Sequence, residues 1–208
     1  MSLARVVLIW AVLAAAIGVP IALSLTSDQL EWRDPVYILA GVAGIIALGL
    51  LLVQPLLIAG YLPGLSAYRA RRVHHWVGGT LVVALLLHVA GLWITSPPDM
   101  IDALTYTSPT PFSPFGVTAM WAIFAVALLA LFRRRLGLRT WRIVHMSLAA
   151  VIVIGSVVHA MLIEGTMETL SKAALCTLVV AAAIKVMVDV WQRQRKTRPM
   201  SSSSSGLP

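Results

Sequence analysis

Residues 71–88 have the sequence RRVHHWVGGTLVVALLLH, in which two arginines lead into an uncharged apolar run closed by a histidine. His74 and His88 are 14 residues apart. In an α-helix, 14 residues make close to four turns and rise about 21 Å, so both imidazoles lie on one helix face. The stretch therefore predicts a membrane-spanning helix with one histidine near each surface of the hydrocarbon layer.

A second stretch repeats this arrangement. Residues 141–159 have the sequence WRIVHMSLAAVIVIGSVVH, and His145 and His159 are again 14 residues apart. Five arginines lie within residues 133–142, at the start of this stretch. Two helices of this kind would offer imidazoles at two depths in the membrane.

The composition of the whole chain is that of a membrane protein. Of its 208 residues, 59% are hydrophobic and only 12% are charged, against about 25% charged in a soluble domain. Six segments are long and apolar enough to cross a bilayer, and in lipid such segments must be helices. They are Leu3–Leu25, Val36–Gly60, His74–Ile94, Phe115–Phe132, Trp141–Ile163 and Leu170–Gln192. We therefore predict an all-α membrane protein, a six-transmembrane helical bundle.

The longest connection, Thr95–Pro114, carries five prolines. Because proline interrupts helices, we expect this segment to be irregular. It would either cover an outward-facing site or serve as a plain connector. The single cysteine, Cys176, excludes an intrachain disulfide and is expected to be a small buried hydrophobe.

Charged residues are divided unequally between the two sides of the predicted bundle. Thirteen of the 16 lysines and arginines lie on one side, and seven of the eight acidic residues lie on the other. Because basic loops stay in the cytoplasm, we expect both termini to be cytoplasmic, in a multi-pass protein of a bacterial-type inner (plasma) membrane. Topology accounts for the net charge of +8, so the expected partner is membrane lipid and not nucleic acid.

All five histidines lie in the third and fifth predicted spans. Ionisable groups inside a membrane are costly and mark functional sites. Both spans run in the same direction, so His74 is level with His145, and His88 is level with His159. Two facing imidazoles can ligate one haem iron from both sides, which predicts haem between helices 3 and 5. The spacing leaves open two haems or one haem with two spare histidines.

His75 competes with His74 for the inner position. It is 13 residues from His88, or roughly 140° away around an ideal helix, whereas His74 shares the face of His88. We prefer His74, although a bend near Gly78 and Gly79 would reverse the choice. The remaining histidine would bond a haem propionate or face the membrane interface.

Other residues near the histidines have two interpretations each. Gly78, Gly91 and Gly155 would give a flat macrocycle room, or serve the ordinary close packing of membrane helices. Zinc is less suitable than haem, because its ligands must converge on one point. Arginines flank the inner layer and would neutralise haem propionates, although topology alone also explains them; they are Arg71, Arg72, Arg139 and Arg142. We take Arg72 and Arg142 as the candidates for cofactor binding.

The stretch from Arg71 to His88, together with residues 134–159, resembles the ferric-reductase-like transmembrane domain family. The resemblance covers roughly residues 36–192. That family includes NADPH oxidases, eukaryotic ferric reductases and MsrQ, the haem subunit of a bacterial methionine sulfoxide reductase system. The basic loop followed by tryptophan and histidine, with a second histidine 14 residues on, is the most specific shared feature.

The resemblance implies haem b held by histidines on two helices. Its inner ligands match His74 (or His75) and His145, and its outer ligands match His88 and His159. It also implies that electrons flow from the cytoplasmic side outward.

One departure from the oxidases and eukaryotic reductases affects the expected partners. Those proteins carry a cytosolic flavin and nicotinamide module after the last helix, whereas this chain has about 16 residues there and no GxGxxG motif. We therefore expect a cytoplasmic-side electron donor, either a flavoprotein or quinol, with flavin present only through that partner or at the inner face. The outer electron acceptor would be ferric iron, oxygen or a periplasmic protein.

These expectations divide the chain into three parts. Residues 1–35 form a retained first transmembrane helix and an outer loop, residues 36–192 form the haem domain, and residues 193–208 form a basic and then serine-rich cytoplasmic tail. The leading hypothesis is a transmembrane b-type cytochrome, an oxidoreductase subunit. The alternatives are an MsrQ-like haem anchor that donates electrons to a periplasmic reductase, and a histidine-dependent proton or metal transporter without haem.

Overall fold

A computed structural model describes residues 1–196 of the chain, with side chains through residue 192. Within this part of the chain all regular structure is helical, and there are no strands. The helices are α1 (Leu3–Leu25), α2 (Pro35–Ala59), α3 (Ala67–Thr95), α4 (Pro97–Leu104), α5 (Ser113–Leu131), α6 (Leu138–Leu162) and α7 (Thr169–Lys196), with single 3₁₀ turns at Asp28–Leu30 and Arg133–Arg135. The predicted serine-rich tail, residues 201–208, lies outside the described residues.

All helices except α4 are long and apolar enough to cross a membrane. These six helices correspond to the six predicted spans, and α1 begins and ends at the predicted residues. The largest difference is at the start of α3, which begins at Ala67 and not at His74. Ser66 caps that end by accepting a hydrogen bond from the backbone N–H of Arg69. The additional turns carry arginines, which hydropathy alone excludes from a span.

The prediction that residues 95–114 would be irregular was wrong in part, because Pro97–Leu104 forms α4. Pro97 and Pro98 occupy the first turn of that helix, where the missing N–H of proline has no helical partner to lose. Proline therefore starts this helix instead of interrupting it. Met100 of α4 is buried, and both it and the exposed Asp99 line a cavity in the bundle.

Two helical hairpins, α2–α3 and α5–α6, form the body of the bundle, and α7 packs against both. Gly91 and Gly155 lie where helices approach closely. A methyl group on Gly91 would come within 2.7 Å of the Ala40 Cβ, and one on Gly155 within 2.9 Å of the Phe115 carbonyl oxygen. These two glycines therefore serve close packing between helices, one of the two roles that the sequence left open.

The buried core is apolar and joins the two hairpins to α7. Leu57, Leu175 and Val179 are almost completely enclosed. Cys176 lies in the same cluster at 3% exposure, which confirms its prediction as a buried hydrophobe. Because lipid is itself apolar, tight packing contributes more to such a core than the exclusion of water does.

Helix α7 begins after a carboxylate cap. The Glu168 carboxylate accepts hydrogen bonds from the backbone N–H groups of Leu170, at 2.9 Å, and Ser171, at 2.8 Å. These bonds favour the ionised carboxylate and so hold the pKa of Glu168 below its ordinary value. The cap fixes the first turn of α7, which carries Lys172.

Candidate functional site

The histidine pair nearer the α3–α5 connection is called the outer pair and the other the inner pair, after the predicted topology. In the outer pair, His88 of α3 and His159 of α6 have ring centroids 6.5 Å apart. Each ring is held by a backbone carbonyl of the neighbouring helix in its hairpin. His88 Nδ1 lies 2.8 Å from the Ala40 oxygen, and His159 Nδ1 lies 3.0 Å from the Phe112 oxygen. A carbonyl can only accept, so each Nδ1 carries the hydrogen. In the neutral imidazole each Nε2 then has a free lone pair, the state that a metal requires.

Glycines make room for both outer rings. A methyl group on Gly44 of α2 would lie 2.9 Å from His88 Nδ1, and one on Gly116 of α5 would lie 2.5 Å from His159 Nδ1. Both separations are shorter than a carbon–nitrogen contact allows. In each hairpin the glycine lies four positions, about one helical turn, after the residue whose carbonyl accepts the hydrogen bond. Each outer imidazole thus lies against one carbonyl and one glycine of the partner helix in its hairpin, Ala40 and Gly44 for His88, and Phe112 and Gly116 for His159. We call each such pair of backbone groups the outer cradle.

The inner histidines, His74 of α3 and His145 of α6, have ring centroids 6.3 Å apart. Trp141 stacks on His145 at 5.2 Å with the two planes 18° apart. Neither Nδ1 atom has a hydrogen-bond partner of normal geometry, and the Gln54 Oε1 atom is also buried without one. The Gln54 backbone lies beside the His74 ring, but the contact does not meet the geometry of a hydrogen bond to Nδ1. Buried polar atoms are normally satisfied, so the inner layer has polar groups to offer a ligand.

His75 lies beside the inner pair, with its ring centroid 6.0 Å from that of His74, but its side chain is exposed. It lies on the inner surface in a basic pocket of about 390 Å³, together with Tyr68, Arg71, Arg72 and Arg133. Arg72 thus lies at the inner end of the molecule beside two further arginines. The structure does not bring Arg142 into this pocket.

The outer pair opens into a larger cavity of about 440 Å³, most of whose lining is apolar. His88 and His159 both contribute to its wall. Its polar lining includes hydroxyl groups, a carboxylate and an ammonium group; these are Thr95, Ser96, Ser108, Thr110, Ser113, Ser156, Thr166, Asp99 and Lys172. An apolar cavity of several hundred Å³ with a few placed polar groups is typical of a cofactor or ligand site.

The separation of the rings can be tested against metal ligation. Imidazole nitrogens bind zinc at about 2.0–2.1 Å, and each lies roughly 1.1 Å from its ring centroid, so two opposed ligands of one such ion have centroids about 6.3 Å apart. Both pairs have centroid separations close to this distance, and so has His74 with its chain neighbour His75, at 6.0 Å. Among the described residues, no three His, Cys, Asp or Glu side chains converge on one point. Two opposed ligands suit a metal whose remaining positions are filled by a macrocycle, as in haem.

Several features of the site have no simple sequence signal. The carbonyls of Ala40 and Phe112 belong to the backbone, so residue type does not reveal them. Gly44 and Gly116 resemble any helical glycine until the neighbouring helix is placed. The position of Trp141, four residues before His145, could have indicated the stacking, but interfacial anchoring explained that tryptophan equally well.

The fold and the two levels of paired histidines define a multi-pass helical membrane protein with candidate ligand sites between its central helices. A family model described as "Ferric reductase like transmembrane component" matches residues 40–156. That match covers more than half of the chain, and the chain belongs to this family. The membership suggests a transmembrane electron-transfer component. No curated protein and no solved structure gives a significant match.

Proposed function

We propose that this protein is a b-type cytochrome that relays electrons across the membrane. The electrons would come from a cytoplasmic-side donor, a flavoprotein or quinol, and pass to an outer acceptor such as ferric iron, oxygen or a periplasmic protein. The main support for the proposal is that two histidine pairs lie at two levels of the bundle, with ring centroids 6.3 Å apart in one pair and 6.5 Å apart in the other. Family membership supports the same class of function.

The proposed ligands are His88 and His159 in the outer layer, and His74 and His145 in the inner layer. Bound haem would supply one-electron redox chemistry, with a potential tuned by axial ligands, hydrogen bonds and burial. The role of the chain is to fix the imidazoles. Hydrogen bonds from Nδ1 to backbone carbonyls set the tautomer and orientation of the outer rings and raise the basicity of Nε2.

The depth of the two layers supports a path through the bilayer. His74 and His88 lie on the continuous helix α3, and His145 and His159 lie on the continuous helix α6. Fourteen residues of helix rise about 21 Å, which is most of the hydrocarbon thickness. Sites at these two levels would divide the membrane crossing into shorter electron transfers.

The basic pocket at the inner end suits the donor side. Arg71, Arg72 and Arg133 lie in it with His75, and opposite charges steer and orient transient partners. The excess of basic residues on this face supports a cytoplasmic location for it. In this proposal Arg72 also neutralises inner haem propionates. For Arg142, which lies outside the pocket, the structure adds no support for that role.

The decisive experiment is a visible spectrum of the purified protein, with a measured ratio of haem to polypeptide. We expect sharp reduced bands of six-coordinate low-spin haem b and a ratio of two. A ratio of one would favour one haem with two spare histidines. A protein that is folded in detergent, produced with haem available and yet colourless would exclude the cytochrome and favour the transporter alternative.

A further inference from the structure

Lys172 is buried in the outer part of the molecule although it carries a charge. Its residue surface is only 7% exposed, and it lines the cavity that contains His88 and His159. Its ammonium group donates a hydrogen bond to the carbonyl oxygen of Ile163, at 2.8 Å. An ammonium group has three donors, so this one bond leaves most of its capacity for other partners.

The position of Lys172 relative to His159 follows from the end of α6. The backbone N–H of Ile163 donates to the His159 carbonyl oxygen at 3.1 Å, which continues the helix by one residue. Ile163 therefore lies about one turn, or roughly 6 Å, beyond His159 toward the outer surface. Because the ammonium group is bound to Ile163, it lies at the outer end of the cavity, past the histidine level.

Within the described part of the chain, no carboxylate lies within ion-pair distance of this ammonium group. The ion pair found there joins Lys185 to Asp189, far along α7. Asp99 lines the same cavity, but it is exposed and its carboxylate accepts a hydrogen bond from Ser96. The Glu168 carboxylate, one turn before Lys172, is engaged by backbone N–H groups of α7, and Glu164 is exposed. A buried ammonium group with no carboxylate in contact is costly, and a ligand carboxylate placed against it would lower that cost.

Hydroxyl groups complete the polar end of the cavity. Ser113 and Thr166 are both buried, and Ser113 forms a hydrogen-bonded cluster with Ser108 and Thr110. Hydroxyls can donate to an anion as well as accept from one another. A cation and several hydroxyls at one end of an apolar cavity are the groups that bind a carboxylate whose remainder is apolar.

We propose that Lys172 is the cationic anchor of a carboxylate-binding subsite at the outer end of this cavity. The carboxylate would come from a propionate of haem held by His88 and His159, which rests on the proposed function, or from an acidic acceptor molecule that enters from outside. The alternative is a purely structural role, in which Lys172 only caps the carbonyl end of α6.

The test compares haem with haem dimethyl ester, whose propionates carry no charge. Protein with His74→Ala, which leaves only the outer pair intact, is produced under haem limitation, placed in lipid nanodiscs and titrated with each compound. We expect binding to favour haem over the ester, and Lys172→Met to reduce that preference by at least about fivefold, as loss of a charge-assisted hydrogen bond does. Lys172→Arg, which retains the charge, should preserve most of the preference.

A second titration uses benzoate, a soluble carboxylate with an apolar remainder, with binding measured by calorimetry. If haem and its dimethyl ester bind equally well but benzoate binds in a Lys172-dependent manner, the carboxylate comes from outside and the subsite stands. If Lys172→Met changes neither the haem preference nor benzoate binding, whatever it does to the melting temperature, the residue is only a helix cap and the proposal is overturned. If no haem binds even to the protein with all histidines, the cytochrome proposal fails, and the benzoate titration still decides the subsite.

Discussion

The outer and inner histidine pairs have nearly equal ring separations, 6.5 and 6.3 Å, but the protein supports them differently. Backbone carbonyls of α2 and α5 hold both outer rings through Nδ1. At the inner level both Nδ1 atoms lack such a partner, and one ring is supported by stacking on Trp141. The outer site is thus organised by the backbone before any ligand binds, whereas the inner site has polar atoms that the chain itself does not satisfy.

This difference indicates how the two sites respond to change. Backbone carbonyls cannot be removed by substitution, so the orientation of the outer rings depends on the packing of α2 and α5. The inner rings depend on side chains, which are free to adjust. We therefore expect the outer site to tolerate overpacking poorly, and the inner site to be more sensitive to loss of side-chain contacts and easier to empty.

The largest expected effect is the loss of one site when an outer ligand is removed. His159→Ala should lower the haem ratio from two to one and abolish the outer redox transition, because haem bound by His88 alone loses its second axial ligand. His88→Ala should act in the same way. Both are measured by the pyridine haemochrome assay and by redox titration. Retention of two haems with unchanged potentials in either variant would refute the assignment.

The inner level provides a matched pair for the next prediction. His74→Ala should remove the inner haem, because His74 is the residue that lies level with His145. His75→Ala should leave both haems in place, since His75 lies in the basic surface pocket. The haem ratio and the redox titration report both variants. The reverse result would make His75 the inner ligand.

These two predictions show what the sequence can and cannot supply. The apolar runs predict the six spans, since lipid imposes length and composition on each helix. The 14-residue spacing predicts which histidines meet, because helix periodicity and direction are enough to place them. The start of α4 was missed because prolines at 97 and 98 suggest interruption, although the first turn of a helix accepts them.

Other parts of the site depend on contacts that only the folded chain defines. The carbonyls that hold the outer rings exist at every residue, and only the close approach of the helices selects Ala40 and Phe112. Lys172 has no distinguishing signal in the sequence, because its position along the chain does not reveal that its ammonium group turns into the bundle. The sequence likewise does not show why residue 116 is glycine, because the reason is the His159 ring that lies beside it in the folded chain.

A smaller effect is expected from filling the outer cradle. Gly116→Ala would place a methyl group 2.5 Å from His159 Nδ1, and overpacking of this kind costs about 1–3 kcal/mol. We expect weaker outer haem binding and a lower melting temperature. Gly79→Ala is the control: apart from the glycine's own helix backbone and chain neighbours, no atom lies within 4 Å of its added methyl group, and alanine favours a helix over glycine. Equal effects of the two substitutions would contradict the cradle.

The smallest effect concerns the stacking that supports the inner level. Trp141→Leu removes the ring that stacks on His145, and such aromatic contacts contribute about 0.5–1.5 kcal/mol beyond burial. Inner haem affinity should fall by about two- to tenfold on that basis, with a change in the low-spin electron paramagnetic resonance signal of the inner site alone. Trp76→Leu is the matched control, because Trp76 is 71% exposed. An unchanged inner signal in Trp141→Leu, or an equal change at the outer site, would mean that both levels are held by the packing of the helices and that the contrast between them does not govern ligand binding.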